Sequence, residues 1–328
     1  MIKHFLPHPT PNRLKEADSN RQFERQYRTW RLLRKMADVA ASPQQLISRI
    51  HSRFRVLSAS ATALHKNACE TQIRELLREA RYADPLRLEH YAFKVFSEHG
   101  EDGIVQEIFR RIGTTNKRFV EFGVNDGLEC NTHFLLYSGW RGLWIECDET
   151  AAAKIRRVFA HPMKEGSLKL EQGLVTAENI NAIIANGQFA GEIDLLSIDI
   201  DGNDYHVCRA ITAVMPRVIV AEYNASFPPP LEWVKPYEPA HVWDGSVYFG
   251  ASLAAYVHML VRKGFTLVGT DLCGVNAFFV RNDIVGEWFA EAGEVPALYN
   301  PPRYSLGAGY PSGHPPIFGK FTTGAIAI

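Results

Sequence analysis

The 328 residues are 46% hydrophobic and 11% aromatic, which bounds the chain to one catalytic-size core plus an extension. The formal net charge of zero hides a division: residues 1–90 hold 17 Lys/Arg against 9 Asp/Glu and the remainder 19 against 27, a basic head on an acidic body. Cys69, Cys130, Cys147, Cys208 and Cys273 form no CxxC or Cys/His ligand cluster, the opening has no apolar signal region, and no stretch approaches the roughly 20 apolar residues of a membrane span. The expectation is a soluble cytoplasmic protein, at most peripheral at the inner face of a membrane.

In chain order, residues 1–18 read as a loose tail with Pro7, Pro9 and Pro11. Residues 19–90 read as a basic helical extension of three helices. The first carries Phe23, Tyr27, Trp30, Leu33 and Met36. The second runs from Leu46 to Leu57 after Pro43, and the third from Leu64 to Ala80.

Beyond Pro85 strands and helices alternate. Strands are expected at Arg118–Phe122, Gly142–Glu146, Leu168–Leu174, Ile193–Ile200, Arg217–Glu222, Phe265–Gly269 and Val275–Val280. Helices are expected at Glu129–Ser138, Glu149–Phe159, from Thr176, near His206–Val214, and at Ser252–Lys263. This pattern predicts a mainly parallel sheet covered on both faces, a Rossmann-like α/β domain over 91–290, with 291–328 wrapping it.

In such sheets ligands bind beyond the carboxyl ends of the strands. Glu121-Phe-Gly123-Val-Asn125-Asp126-Gly127 follows the first strand, and its glycines allow a tight bend and close backbone approach. The spacing departs from G-x-G-x-x-G, and the acids fall where a pyrophosphate would sit, so a cationic sulfonium suits the bend better than a nicotinamide dinucleotide. An ordinary strand-to-helix turn is the plainer alternative. Glu146, 23 residues past Gly123, ends the second strand, where an acid accepts the hydroxyls of a ribose; Asp148 reads as the cap of the next helix. Together the two motifs point to S-adenosylmethionine (SAM).

Asp199-Ile-Asp201-Gly-Asn-Asp204 places three carboxylates within six residues. They repel one another unless a cation, a proton or a ligand amine relieves them. An EF-hand is excluded, since its twelfth position is Ala210. With Glu222 and Asn224 after the fifth strand, Asp199 and Asp201 form a candidate Mg²⁺ site; the alternative has Asp199 holding the cofactor's amino group. Residues 226–252 make a long Pro- and aromatic-rich connection that reads as an acceptor-binding lid, with Trp233, Tyr237, His241, Trp243, Asp244 and Tyr248 as its contacts. His241 is either a general base or a bystander.

On these residues the chain resembles the FkbM-type class I SAM-dependent methyltransferases, notably relatives associated with bacterial surface glycans. The match runs from Phe96-Ser-Glu-His-Gly-Glu-Asp102 through Phe119–Gly127, Gly142–Glu146, Asp194–Asp204, Val220–Asn224 and Tyr248–Ser252 to Gly274–Val280, about residues 92–284. The resemblance implies a seven-stranded sheet with its last strand antiparallel, SAM at Glu121, Gly123 and Glu146, and Glu101 and Asp102 near the methionine end; the motifs themselves add Asn125, Gly127 and Asp199 as cofactor contacts. Family members carry Gln where this sequence has Glu98. The expected activity is O-methylation of a sugar hydroxyl, with Asp199 and Asp201 as catalytic base or metal ligands. The rival reading is a non-catalytic module docking a glycan-assembly complex, or a second copy, through residues 19–90. Nucleic acid is not an expected partner.

Overall fold

The computed structural model describes residues 27–29, 31, 43–306 and 322–323. The chain divides into two units, residues 1–66 and 67–328. The first expected helix and the ends of the chain lie largely outside the described residues.

The expected second and third helices are one. Helix α1 runs unbroken over Pro43–Leu76. The Ser-Ala-Ser-Ala-Thr-Ala stretch at 58–63 contains neither Gly nor Pro, and alanine is the strongest helix former. Thr62 Oγ1 donates back to Ser58 O at 3.0 Å, a bond that leaves the helix intact. Along α1, Ile47, Ile50, Phe54, Leu57 and Leu64 are exposed, Phe54 by 71%. Among the described residues no helix is long and apolar enough to cross a membrane.

The larger unit is built on a sheet of strands β1 (Arg118–Phe122), β2 (Arg141–Glu146), β3 (Leu168–Gln172), β4 (Gly191–Ile198), β5 (Val214–Glu222), β7 (Phe265–Thr270) and β8 (Asn276–Arg281). β6 (Trp233–Val234) lies between β5 and β7 in the chain and pairs separately with β9 (Thr322–Thr323). The order across the sheet is β3-β2-β1-β4-β5-β8-β7, parallel throughout except for β8, which runs antiparallel to both neighbours. This is the mainly parallel, Rossmann-like arrangement that the alternating pattern predicts, with the seven strands and reversed last strand that the resemblance implies.

Alternation along the strands divides the core between the two faces. Val120, Phe122, Ile145 and Ile198 bury on one side, and Phe119, Trp144, Leu195 and Val220 on the other. α2 (Glu101–Ile112) covers the second face through Ile104, Val105 and Ile108. α8 (Leu253–Arg262) covers the first, its N-terminus capped by Ser252, whose hydroxyl accepts from Ala255 N. The chain crosses between β1 and β4, where β1 turns outward to β2 and β4 to β5, opening a crevice at their carboxyl ends.

The helix after the glycine bend is far shorter than its periodicity suggests. α3 spans only His133–Leu136. Glu121 extracts the preceding residues from the helix, because its buried carboxylate accepts from the backbone N–H of Asn131 at 2.9 Å and of Thr132 at 3.1 Å. The remaining helices are α4 (Glu149–Val158), α5 (Ala160–Glu165), α6 (Ile180–Asn186), α7 (Asp204–Ala210) and α9 (Val295–Leu298).

Candidate functional site

A cavity of about 270 Å³ opens over the carboxyl ends of β1, β4 and β5. Its floor is Gly123, at φ +81°, where an added Cβ would lie 1.4 Å from the carbonyl oxygen of Asp199. The chain leaving β1 and the chain leaving β4 therefore touch backbone to backbone, an approach open only to glycine. Asn125, at φ +49°, donates its N–H to Glu146 Oε2 at 2.7 Å, and the other oxygen of Glu146 accepts from Asp148 N at 2.8 Å. Glu146 thus ties the tip of β2 to the bend after β1. It does not line the cavity. Gly127 is also set back: its Cβ would strike the Trp144 ring at 2.6 Å, so it packs the bend onto the core. Asp148 caps α4, accepting from Ala151 N at 2.7 Å.

Glu121 lines the cavity yet is fully engaged. Besides the two backbone donors it accepts from Ser197 Oγ at 3.0 Å and from Thr132 Oγ1, which also receives the Trp144 indole N–H at 2.8 Å. Burial pushes its carboxyl above the usual range against these four bonds. Glu101, at the start of α2, joins two walls: Oε1 accepts from Asn276 Nδ2 and Oε2 from His99 N, both at 2.8 Å. Its neighbour Asp102 turns away and gathers the N–H groups of Val95, Phe96 and Ser97 on one oxygen.

The acids after β4 and β5 converge, though not in the expected set. Asp199, Asp204 and Glu222 each present a carboxylate oxygen within 4.8 Å of the others. Burial, then the charges of Asp201 and Asp204, drive Asp199 well above the carboxylate range. Burial and Asp199 do the same to Glu222. Asp201, at φ +54° on the exposed mouth, is pushed up to about 6 by the surrounding protein and by Asp204 and Glu98. Asp204 is committed to the loop itself, one oxygen accepting from Ile200 N at 2.6 Å and the other from Gly202 N at 2.7 Å.

Asn224, expected in the metal set, does not line the cavity or join the converging acids: it is fully buried, its amide donates to Val247 O and Phe249 O at 2.9 Å, and its oxygen accepts from Ser226 N, so it anchors the lid.

Of the six residues assigned to the lid, Trp243 lines the cavity, its indole N–H donating to Ser246 O at 2.7 Å. The other five line no part of it and are engaged in local structure. Trp233 stacks on Phe227 at 4.6 Å. Tyr237 donates to Glu178 at 2.6 Å, and His241 packs its ring against Gly202. Asp244 accepts from Ser246 N, and the Tyr248 ring lies 5.4 Å from the Lys235 ammonium. A connection wrapped on its own aromatics leaves few of them for a ligand.

Sequence reading missed His99, Cys130, Asn131, Asn276 and Tyr304, all of which line the cavity. His99 lay inside the Phe96–Asp102 motif and so was within reach. Tyr304 belongs to a C-terminal stretch with no periodicity, and nothing in the sequence signals its place.

No protein-family model matches this sequence, and none of the curated proteins does. Among solved structures the chain is similar to a candidate caffeoyl-CoA O-methyltransferase from Staphylococcus aureus, at 13% identity and TM-score 0.39, over 69% of this chain and 99% of that one. It is also similar to the N-terminal domain of EvdMO1 with SAH and D-fucose (15%, TM-score 0.37, 63% and 95%) and to the glycopeptide N-methyltransferase MtfA with sinefungin (16%, TM-score 0.34, 59% and 90%). Scores at this level say nothing of what this chain binds or transfers.

Proposed function

We propose that the chain is a SAM-dependent methyltransferase of FkbM type that O-methylates a sugar hydroxyl of a bacterial surface glycan or its precursor. The carrying observation is the crevice itself: a backbone bend too close for any Cβ at Gly123, walled by carboxylates and, among the described residues, by no Lys or Arg. That lining fits a ligand with a sulfonium and an ammonium and repels a pyrophosphate. Glu101, Asn125, Asn131 and Asp199 are the residues that would hold the cofactor, and Glu146 acts from behind the cavity by fixing the bend.

Bound SAM supplies an already activated methyl group. The work left to the chain is to align an acceptor oxygen and to take its proton. Asp201 at the mouth is the proton acceptor; a carboxylate pushed up to about 6 is a better base than an ordinary one and is still ionised at neutral pH, whereas Asp199, held well above the carboxylate range, is left to the cofactor. Trp243 offers the flat face on which a sugar ring stacks. Mg²⁺ on Asp199, Asp201 and Glu222 is a variant of the same reading.

Calorimetry with S-adenosylhomocysteine and with NAD tests the cofactor. The homocysteine analogue is expected to bind and NAD not, and Gly123→Ala weakens binding about 100-fold, the scale set by ångström-level misplacement. Labelled SAM with surface-glycan acceptors, with and without Mg²⁺, tests the transfer; absence of binding and of label ends the reading.

The exposed apolar stripe of α1 favours a second reading, in which the fold docks a glycan-assembly partner or another copy and performs no transfer. Analogue binding without transfer, together with partner association lost when the stripe residues are made polar, distinguishes it.

A further inference from the structure

The end of the sheet opposite the crevice carries the reverse charge. A cavity of about 580 Å³ opens over the amino ends of β1, β2 and β3 and the turn before β4, and its lining includes Lys117, Arg118, Arg141 and Lys169 and no carboxylate. Strand pairing brings these cations together. Arg118 opens β1 and Arg141 opens β2, and the parallel register makes them partners across the two strands, while Lys169 pairs with Leu143 two residues further on. Alternation puts all three on the face where Val120, Leu143 and Ile145 are buried. Side chains in register on adjacent strands start about 4.8 Å apart, and like charges so placed repel until an anion lies between them.

A second observation is independent of the charge: the donors are held in place yet not used up. Lys169 Nζ donates to Gly187 O at 3.1 Å and to Gln188 Oε1 at 2.8 Å. Arg118 donates to Gln188 O at 2.5 Å, its guanidinium 4.5 Å from the Phe189 ring, and Lys117 Nζ donates to Ser138 O at 3.3 Å. An ammonium has three N–H donors and a guanidinium five, so each of these groups keeps at least one for a ligand. The Arg141 guanidinium has no partner among the described residues, and none of the four cations forms an ion pair there. Asp194, behind this wall, is already matched by Arg217 at 2.8 Å and by the N–H groups of Thr115, Asn116 and Lys117.

We propose that this cavity is an anion site separate from the crevice, and that its ligand presents a diphosphate group. The proposal stands apart from the methyltransferase reading. The cations reach across three strands, roughly 10 Å, a span that suits two adjacent phosphates better than one. Each cation offers charge-assisted donors, which phosphoryl oxygens accept most strongly. Phe189, the one aromatic in the lining, is buried and covered by Arg118, so it leaves no face on which a base could stack. That favours a diphosphate over a single-stranded nucleic acid.

The test titrates the full chain by calorimetry at neutral pH and about 0.15 M salt, without divalent metal, using inorganic phosphate, inorganic pyrophosphate and uridine diphosphate. Pyrophosphate or uridine diphosphate is expected to bind at least about tenfold more tightly than phosphate, and the tighter of the two tells whether the group is free or esterified. Arg141 is exposed and outside the core. Arg141→Ala is therefore expected to weaken diphosphate binding at least about tenfold. It is also expected to leave the thermal midpoint of the ligand-free protein no lower, since a like-charged neighbour is removed. Equal binding of phosphate and both diphosphates, no saturable binding of any of them, or diphosphate affinity that survives both Arg141→Ala and Lys169→Ala overturns the proposal. So does competition between pyrophosphate and S-adenosylhomocysteine, which would put the anion in the crevice. Failure of S-adenosylhomocysteine to bind at all bears on the methyltransferase reading and leaves the diphosphate result to be read by itself.

Discussion

At the scale of single residues, carboxylates of like appearance do opposite work according to where their lone pairs go. Glu121, Glu146 and Asp204 spend theirs on backbone and hydroxyl donors and hold loops in shape, whereas Asp199, Asp201 and Glu222 keep theirs open. Open acids crowded together are a cost to the ligand-free protein. The carboxyl of Asp201 is raised to about 6 in the fold and returns to its ordinary value near 4 on unfolding. The folded state therefore binds the extra proton between those values, and stability falls as pH rises through that window. Acids held low, such as Asp194 beside Arg217, act in the other direction and only at lower pH. The expected outcome is that Asp201→Asn flattens the rise in thermal midpoint seen on lowering pH from 7 to 5, and makes the ligand-free protein no less stable at pH 7. An undiminished rise would show that the other raised acids, Asp199, Glu222 and the fully buried Asp271, account for it.

Elements differ in how far their apolar residues matter. Leu88, in the short 3₁₀ turn Leu88–Tyr91, is completely buried and packs against Gly269 of β7. Phe54 projects from α1 with 71% of its surface exposed. Leu88→Ala is expected to lower unfolding stability by about 2–5 kcal/mol through lost contacts and a cavity, while Phe54→Ser changes it by about 0.5 kcal/mol or less. Denaturant titration of both variants checks the contrast, and a large loss from Phe54→Ser would place that ring in a packed interface. Periodicity served the elements unevenly. β1 matches its expected span residue for residue, and α8 falls inside the expected Ser252–Lys263. α3 was not, since a distant carboxylate outcompeted the helix for the N–H groups of Asn131 and Thr132. The two helices read over 46–80 merged because apolar spacing registers a face and not the absence of a break.

Across the larger unit, one side chain gathers the most distant partners of the C-terminal stretch, beside bonds such as Arg303 N to Cys273 O and the Tyr299 hydroxyl to Ala225 O. Asn300 is fully buried, accepts from the Tyr82 hydroxyl and from Arg303, and donates to Glu89 and Thr270. Its backbone oxygen receives the Tyr223 hydroxyl at 2.6 Å. This single amide links residues from before the first strand, from β7 and from the end of the chain. Asn300→Ala is expected to cost about 2 kcal/mol or more, because several buried polar groups lose partners together. A change under about 0.5 kcal/mol in thermal or denaturant unfolding would mean that the segment is held by other contacts.

The sequence by itself determined the order of strands and helices, the glycine bend after β1, and the acids at the tips of β2, β4 and β5, because each follows from local periodicity or from a conformation that few residues can adopt. Only the tertiary structure decided which acids face the crevice and which turn inward to hold a loop, why Asn224 and most of the aromatic connection are anchors, and that His99 and Tyr304 complete the wall. The physical reason is the same in each case. A polar side chain takes whatever donor or acceptor the fold brings within about 3 Å, and residues far apart in the chain come that close only once the strands have paired.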